Sequence, residues 1–134
     1  MKTYVLDASA LLVFLQRKAS ASKVGELFKD ALRGRAEVLM SAVNCGEVYT
    51  VILREHGQQQ AEAAMSAIYP LPMRMVDATP QRSLRAAEVK VRYKLYYVDS
   101  FAAALAIEYK ATLVTSDNDF RNVGSMFSIL WLKS

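Results

Sequence analysis

The sequence predicts an α/β fold of three layers, a central, mostly parallel β-sheet flanked by helices on both faces. Two observations carry this prediction. Short apolar, β-branched runs recur along the chain, and each is followed by a segment whose apolar residues return at helical spacing. Strands that alternate with helices in this way pair in parallel and need cover on both faces. With 134 residues and an apolar share of 53%, the chain can fill one core, so residues 1–134 are expected to form a single domain.

Tyr4-Val5-Leu6 is the first strand, with Asp7 at its end. Ser9 is placed to cap the helix that carries Leu11, Leu12, Phe14 and Leu15, since its hydroxyl accepts from an unpaired backbone N–H. A second helix, from about Ser22 to Leu32, carries Val24, Leu27 and Phe28 and stops at Gly34. Val38-Leu39-Met40 is the second strand, and Ser41 caps a long helix that runs to about Glu55 and ends at Gly57. Gln58 to Ile68 continues as an Ala-rich helix, after which Pro70 and Pro72 lead into a strand through Met73, Met75 and Val76. Asp77 marks the approach to a helix capped by Thr79, with Pro80 in its first turn and Leu84, Ala87, Val89 and Val91 as its apolar residues. Asp99 opens the next helix, in which Ala102, Ala103 and Ala106 make a stripe suited to close packing. Thr112 to Thr115 is a strand that releases the chain at Asp117, followed by a short turn near Phe120 to Val123 and a last strand, Ile129-Leu130-Trp131.

Composition removes several function classes. One cysteine, Cys45, and one histidine, His56, exclude a disulfide framework and a structural Cys/His zinc site, which needs four ligands. Cys45 is expected to be a small buried hydrophobe, and Gly46 beside it to permit close backbone approach. No apolar stretch approaches the ~18 residues of a membrane span. The first apolar run is broken by Asp7 and continues past Ala8-Ser9-Ala10, unlike an export signal, so a cytoplasmic location is expected. There is no glycine-rich loop for a dinucleotide or a P-loop phosphate. A receiver-type phosphoacceptor domain would need a second acid beside Asp7, and none is there. The net charge of +4 favours a polyanionic partner.

Four acids, Asp7, Glu47, Asp99 and Asp117, occupy strand ends or the helices that follow strands, the edge at which open α/β sheets bind ligands. Glu47 lines up with Val43 and Val51, which puts its carboxylate on the face expected to pack inward. Two carboxylates roughly 4 Å apart repel by about 4 kcal/mol at an effective dielectric near 20, so four in one pocket require a cation or raised pKa values. All-oxygen donors suit Mg²⁺ or Mn²⁺, either of which activates water and stabilises charge on a phosphoryl oxygen.

Leu6-Asp7-Ala8-Ser9, the helical Asn44-x-x-Glu47, Asp99 heading an Ala-rich helix, and Thr115-x-Asp117-x-Asp119-Phe120 together resemble PIN-domain ribonucleases, particularly VapC-type toxins of toxin–antitoxin pairs. The resemblance covers nearly the whole chain. It implies a PIN-like fold, Mg²⁺ or Mn²⁺ dependence, and endonucleolytic cleavage of RNA that leaves a 5′-phosphate. It also implies a homodimer and a small antitoxin whose C-terminal segment covers the active site. Asp7, Glu47, Asp99 and Asp117 match the family's acidic quartet, for catalysis and metal binding, and Asp119 matches a less regular further acid. Ser9 and Thr115 match pocket hydroxyls. Asn44 either supports the site from behind or is an exposed helix residue. Among the basic residues, Arg92 and Lys94 in Lys90 to Tyr97, and Arg17 and Lys18 after the first helix, are the candidate RNA contacts. Tyr96 and Tyr97 are expected to pack on the sheet. The competing reading is a non-catalytic PIN-like module that binds RNA or protein, for which four mutually repelling acids have no use.

Overall fold

A computed structural model describes residues 1–134. Five strands, β1 (Lys2–Leu6), β2 (Ala36–Ser41), β3 (Arg74–Val76), β4 (Thr112–Thr115) and β5 (Ile129–Trp131), form one sheet in the order β3-β2-β1-β4-β5. Every neighbouring pair is parallel, with Leu6 opposite both Met40 and Val114 at the carboxyl edge. Helices α1 (Ala8–Leu15), α2 (Ala21–Leu32), α3 (Ala42–His56), α4 (Gln58–Ile68), α5 (Pro80–Tyr93) and α6 (Tyr97–Tyr109) supply the crossovers, and a 3-10 turn, Asn118–Val123, precedes β5.

The two-residue period of the strands builds both cores. Leu6, Val38, Met40 and Val114 point to one face and pack with Leu11, Val24, Phe28, Val48, Ile52 and Ile68 from α1 to α4. Val5, Leu39 and Leu113, one residue along, point to the other face and meet Val89, Ala102, Leu105 and Phe120. The three layers follow, and the sheet is wholly parallel. Ala102, Ala103 and Ala106 are fully buried, so the small-residue stripe of α6 lies against the sheet as expected. No helix is long and apolar enough to cross a membrane.

Local details depart from the sequence reading in instructive ways. Asp7, not Ser9, caps α1: its carboxylate accepts from the Ala10 backbone N–H at 2.8 Å. α6 begins at Tyr97, two residues before Asp99, so Asp99 sits in the first turn rather than opening the helix. On α5 the buried residues are Ala86 and Val89, while Leu84 and Val91 are 65% and 80% exposed. A side chain at Gly46 would meet nothing within 4 Å, so no close backbone approach explains that glycine. Gly57 does have a backbone reason, because its φ of 86° lets α3 end and α4 begin at one residue.

Candidate active site

The sheet order reverses direction between β1 and β4, which opens a crevice beyond their carboxyl ends. Asp7 leaves β1 there and Asp117 leaves β4. α6 brings Asp99 to the same place and α3 brings Glu47. The result is an open cleft of ≈ 370 Å³ whose walls include Asp7, Ser9, Glu47, Asp99, Asp117 and Asp119.

Asp7 is 3% exposed and held from three sides. One carboxylate oxygen accepts from Ala10 N at 2.8 Å and from Ser9 Oγ at 2.7 Å; the other accepts from Thr115 Oγ1. The same two hydroxyls accept in turn: Ser9 Oγ from Ser116 N and Thr115 Oγ1 from Asp117 N, both at 2.9 Å. Each hydroxyl has one proton, already given to Asp7, so the 3.2 Å approach of Ser9 Oγ to Thr115 Oγ1 is a contact and not a further bond. Two hydroxyls thus lock the β1–α1 turn to the loop after β4. Burial still outweighs these donors and raises Asp7 to a pKa of about 6.

Asp117 caps the 3-10 turn, accepting from Asp119 N at 2.9 Å. Carboxylate oxygens of Asp99, Asp117 and Asp119 lie within 4.8 Å of one another. Burial, then the charges of Asp117, Asp7, Asp119 and Glu47, raise Asp99 to about 7. Glu47 is half-buried and faces the cleft from α3, without a hydrogen bond or ion pair. Its helix buries Asn44, Val48 and Ile52 instead of the expected Val43, Glu47 and Val51 stripe. Glu47 therefore flanks the buried stripe, where a carboxylate keeps access to solvent. Asn44 is 1% exposed, and its Nδ2 donates to the Val98 carbonyl at 3.1 Å, tying α3 to the residue before Asp99.

None of the five cleft acids joins an ion pair; all the salt bridges lie elsewhere. In a chain of net charge +4, five of thirteen acids meet at one edge with no side-chain cation to balance them. The donor set is carboxylate oxygen alone. His56 is exposed in the last turn of α3, and Cys45 packs against the core with its thiol pKa raised by burial. Such a set fits a hard divalent cation.

The family model of the PIN domain matches residues 4–125. The chain belongs to the PIN domain family. A search of curated proteins finds no match for this PIN domain. Among solved structures it shares its fold with VapBC2 from Rickettsia felis, bound to a DNA fragment from their promoter, at TM-score 0.75 and 14% identity over 98% of this chain and 99% of that one. It is similar to Mycobacterium tuberculosis VapC20, described as a sarcin-ricin loop cleaving toxin, at TM-score 0.70 and 21% identity, covering 90% and 95% of the two chains. VapBC-5 from the same organism superposes at TM-score 0.65 and 17% identity over 100% of both chains.

Within this PIN domain the four acids singled out by sequence line one cleft together with Asp119, whose carboxylate, though exposed, groups with those of Asp99 and Asp117. The basic candidates divide. Arg17 and Lys18 follow the far end of the eight-residue α1, roughly 12 Å along the helix from Asp7, and do not line the cleft. Arg92 lies over the Tyr93 ring at 5.8 Å and lines a hollow between α5 and α6 instead. Lys94 is the one of the four that borders a hollow next to the acids. Tyr96, expected on the sheet, is 73% exposed at the cleft rim, whereas Tyr97 packs edge-on against Phe101 at 5.1 Å.

Thr115→Val keeps the shape of this fully buried side chain but leaves an Asp7 oxygen and the Asp117 N–H without their partner. Unfolding in urea is expected to show a loss of about 1–3 kcal/mol. An unchanged midpoint would mean that the hydroxyl does not hold the two segments together.

Proposed function

We propose that this PIN domain is a Mg²⁺- or Mn²⁺-dependent endoribonuclease, the VapC-type toxin of a toxin–antitoxin pair, working as a homodimer in the cytoplasm. The observation that carries the reading is the convergence of five uncompensated carboxylates at the β1–β4 crevice, two of them with raised pKa values. Asp99, Asp117 and Asp119, flanked by Asp7 and Glu47, would hold the ion. Bound there, it would supply Lewis acidity toward a phosphoryl oxygen and a water acidic enough to attack at neutral pH.

The chain's own residues prepare that chemistry. Three donors fix the Asp7 carboxylate, so it does not have to be oriented when substrate arrives. Asp117 is held in place by the Asp119 N–H at one oxygen while its own N–H is taken by Thr115. Asn44 fixes the start of α6 and with it the position of Asp99. The Glu47 carboxylate has no protein partner and faces the cleft, able to take a proton from an attacking water. Fold neighbours solved as VapBC pairs support an antitoxin as the natural inhibitor.

The test is cleavage of structured RNA by purified protein with Mg²⁺ or Mn²⁺ and with EDTA. Cleavage is expected only with the ion and should leave 5′-phosphate ends. Cleavage indifferent to chelation, or none with either ion, would overturn the reading.

A further inference from the structure

A second hollow, ≈ 450 Å³, adjoins the acidic cleft and shares Tyr96 and Asp119 with it as a common wall. Its other walls are Lys90, Lys94, Leu95 and Asn122. The backbone builds it in one turn. Lys94 ends α5 in the left-handed region, with φ 57° and ψ 46°. Leu95 is then buried at 3% exposure and anchors the turn, while Tyr96 is turned outward. Lys90 Nζ donates to the Leu95 carbonyl at 3.3 Å, which keeps that ammonium beside the same turn.

The charges explain why this hollow matters. A cleft of five carboxylates repels a polyanion, so a bound RNA strand needs cations just outside the acids. Lys90 and Lys94 take part in no ion pair. Two of the arginines of the α5–α6 hollow are different: Arg82 is paired with Glu108 at 3.0 Å and Arg85 with Glu88 at 2.8 Å. The Lys90–Lys94 turn therefore brings uncompensated positive charge into the hollow that adjoins the acids, and an exposed aromatic ring stands between it and the cleft. Lysines track a phosphate backbone and an aromatic face stacks a base.

We propose that this hollow is a nucleotide subsite for single-stranded RNA: Tyr96 stacks one base, Lys90 and Lys94 hold the phosphate next to the one at the acids, and Asn122 offers an amide to the sugar or base. The subsite takes its adjoining phosphate from the nuclease reading, but its binding is measurable without cleavage.

The measurement is fluorescence anisotropy of a labelled single-stranded RNA oligonucleotide with full-length Asp99→Asn protein, so that no substrate is consumed. Tyr96→Ala is expected to weaken binding roughly 5- to 150-fold, and Tyr96→Phe to stay within about twofold. Replacing Lys90 and Lys94 by Gln should flatten the dependence of log affinity on log salt by about 0.7 for each phosphate that is no longer neutralised. In cleaving protein the same replacements should raise KM rather than lower kcat. Unchanged affinity and salt slope, with circular dichroism showing an intact fold, would overturn the subsite while leaving the nuclease reading in place. Replacements that weaken only a protein partner and leave RNA affinity intact would likewise overturn it, as a protein-docking face. RNA binding that depends on Tyr96 and the lysines in a wild-type protein that neither binds Mn²⁺ nor cleaves would uphold the subsite and reject the nuclease.

Discussion

Asp99→Asn is expected to remove metal-dependent RNA cleavage and, without metal near neutral pH, to make the protein more stable. Asp99 belongs to the closest group of carboxylates in the molecule, and its own pKa is raised to about 7 by burial and by four like charges. Removing a preorganised charged group from such a site lowers a rate by roughly 10²–10³-fold or more. The fold loses little, because α6 is not capped by this side chain and packs through Ala102, Ala103 and Ala106. The stability gain follows from the raised pKa. A shift from 3.8 to about 7 would correspond to about 4 kcal/mol at 1.36 kcal/mol per unit, but Asp99 is only half-buried and solvent screens it, so about 1–2 kcal/mol is expected. Urea unfolding in EDTA at pH 7.5, beside a cleavage assay in Mn²⁺, measures both effects. A variant that still cleaves, or one that loses both activity and stability, would contradict this account of Asp99.

The second large effect is a pH dependence opposite in sense to ordinary acid denaturation. In the unfolded chain Asp7 and Asp99 ionise near 3.8; in the folded chain they ionise near 6 and 7. Between those values the native state holds protons that the unfolded state has released, so the slope of unfolding free energy against pH is negative. The contribution of these groups is full below about pH 4 and is lost as pH rises through 6 and 7. Metal-free protein should therefore lose about 2 kcal/mol between pH 5 and pH 8, with the Asp99 share discounted for exposure. Mn²⁺ at a hundred times its dissociation constant should restore about 2.7 kcal/mol at pH 8. Urea midpoints at the two pH values, for wild type and for the Asp7→Asn/Asp99→Asn double variant, check this. A wild-type profile that is flat or rises with pH would be contrary to it.

The sequence makes the strands and the acids at their ends legible because both obey local rules: a β-branched run stops, and a carboxylate follows where the next helix must start. Asp7 and Asp117 are readable in this way. The faces of α3 and α5 are less so. On α3, Val43, Val48, Val51 and Ile52 permit two neighbouring stripes, and the choice is made by Asn44, whose partner is a carbonyl 54 residues away. No local pattern announces that bond. On α5 the buried positions are filled by the small Ala86 and by Val89, while the larger Leu84 and Val91 face outward, so side-chain size misleads where periodicity alone would serve. The basic residues are misplaced for a related reason. Arg17 and Arg92 stand in basic stretches that read as RNA contacts but line other hollows, and it is the left-handed turn at Lys94 that sets this lysine, with Lys90 and Tyr96, around the hollow beside the cleft. The promotion of Asp119 rests on a local Asx bond to Asp117 that is visible in the sequence as Asp117-x-Asp119.

Calorimetric titration of Mn²⁺ into metal-free protein is the most direct trial of the claim that these carboxylates exist to share a cation. Wild type should bind, Asp99→Asn and Asp117→Asn should bind at least about tenfold more weakly, and Glu62→Gln on the exposed face of α4 should match wild type. No heat of binding in the wild type, or equal affinity in all four proteins, would show that the acids converge for some other reason.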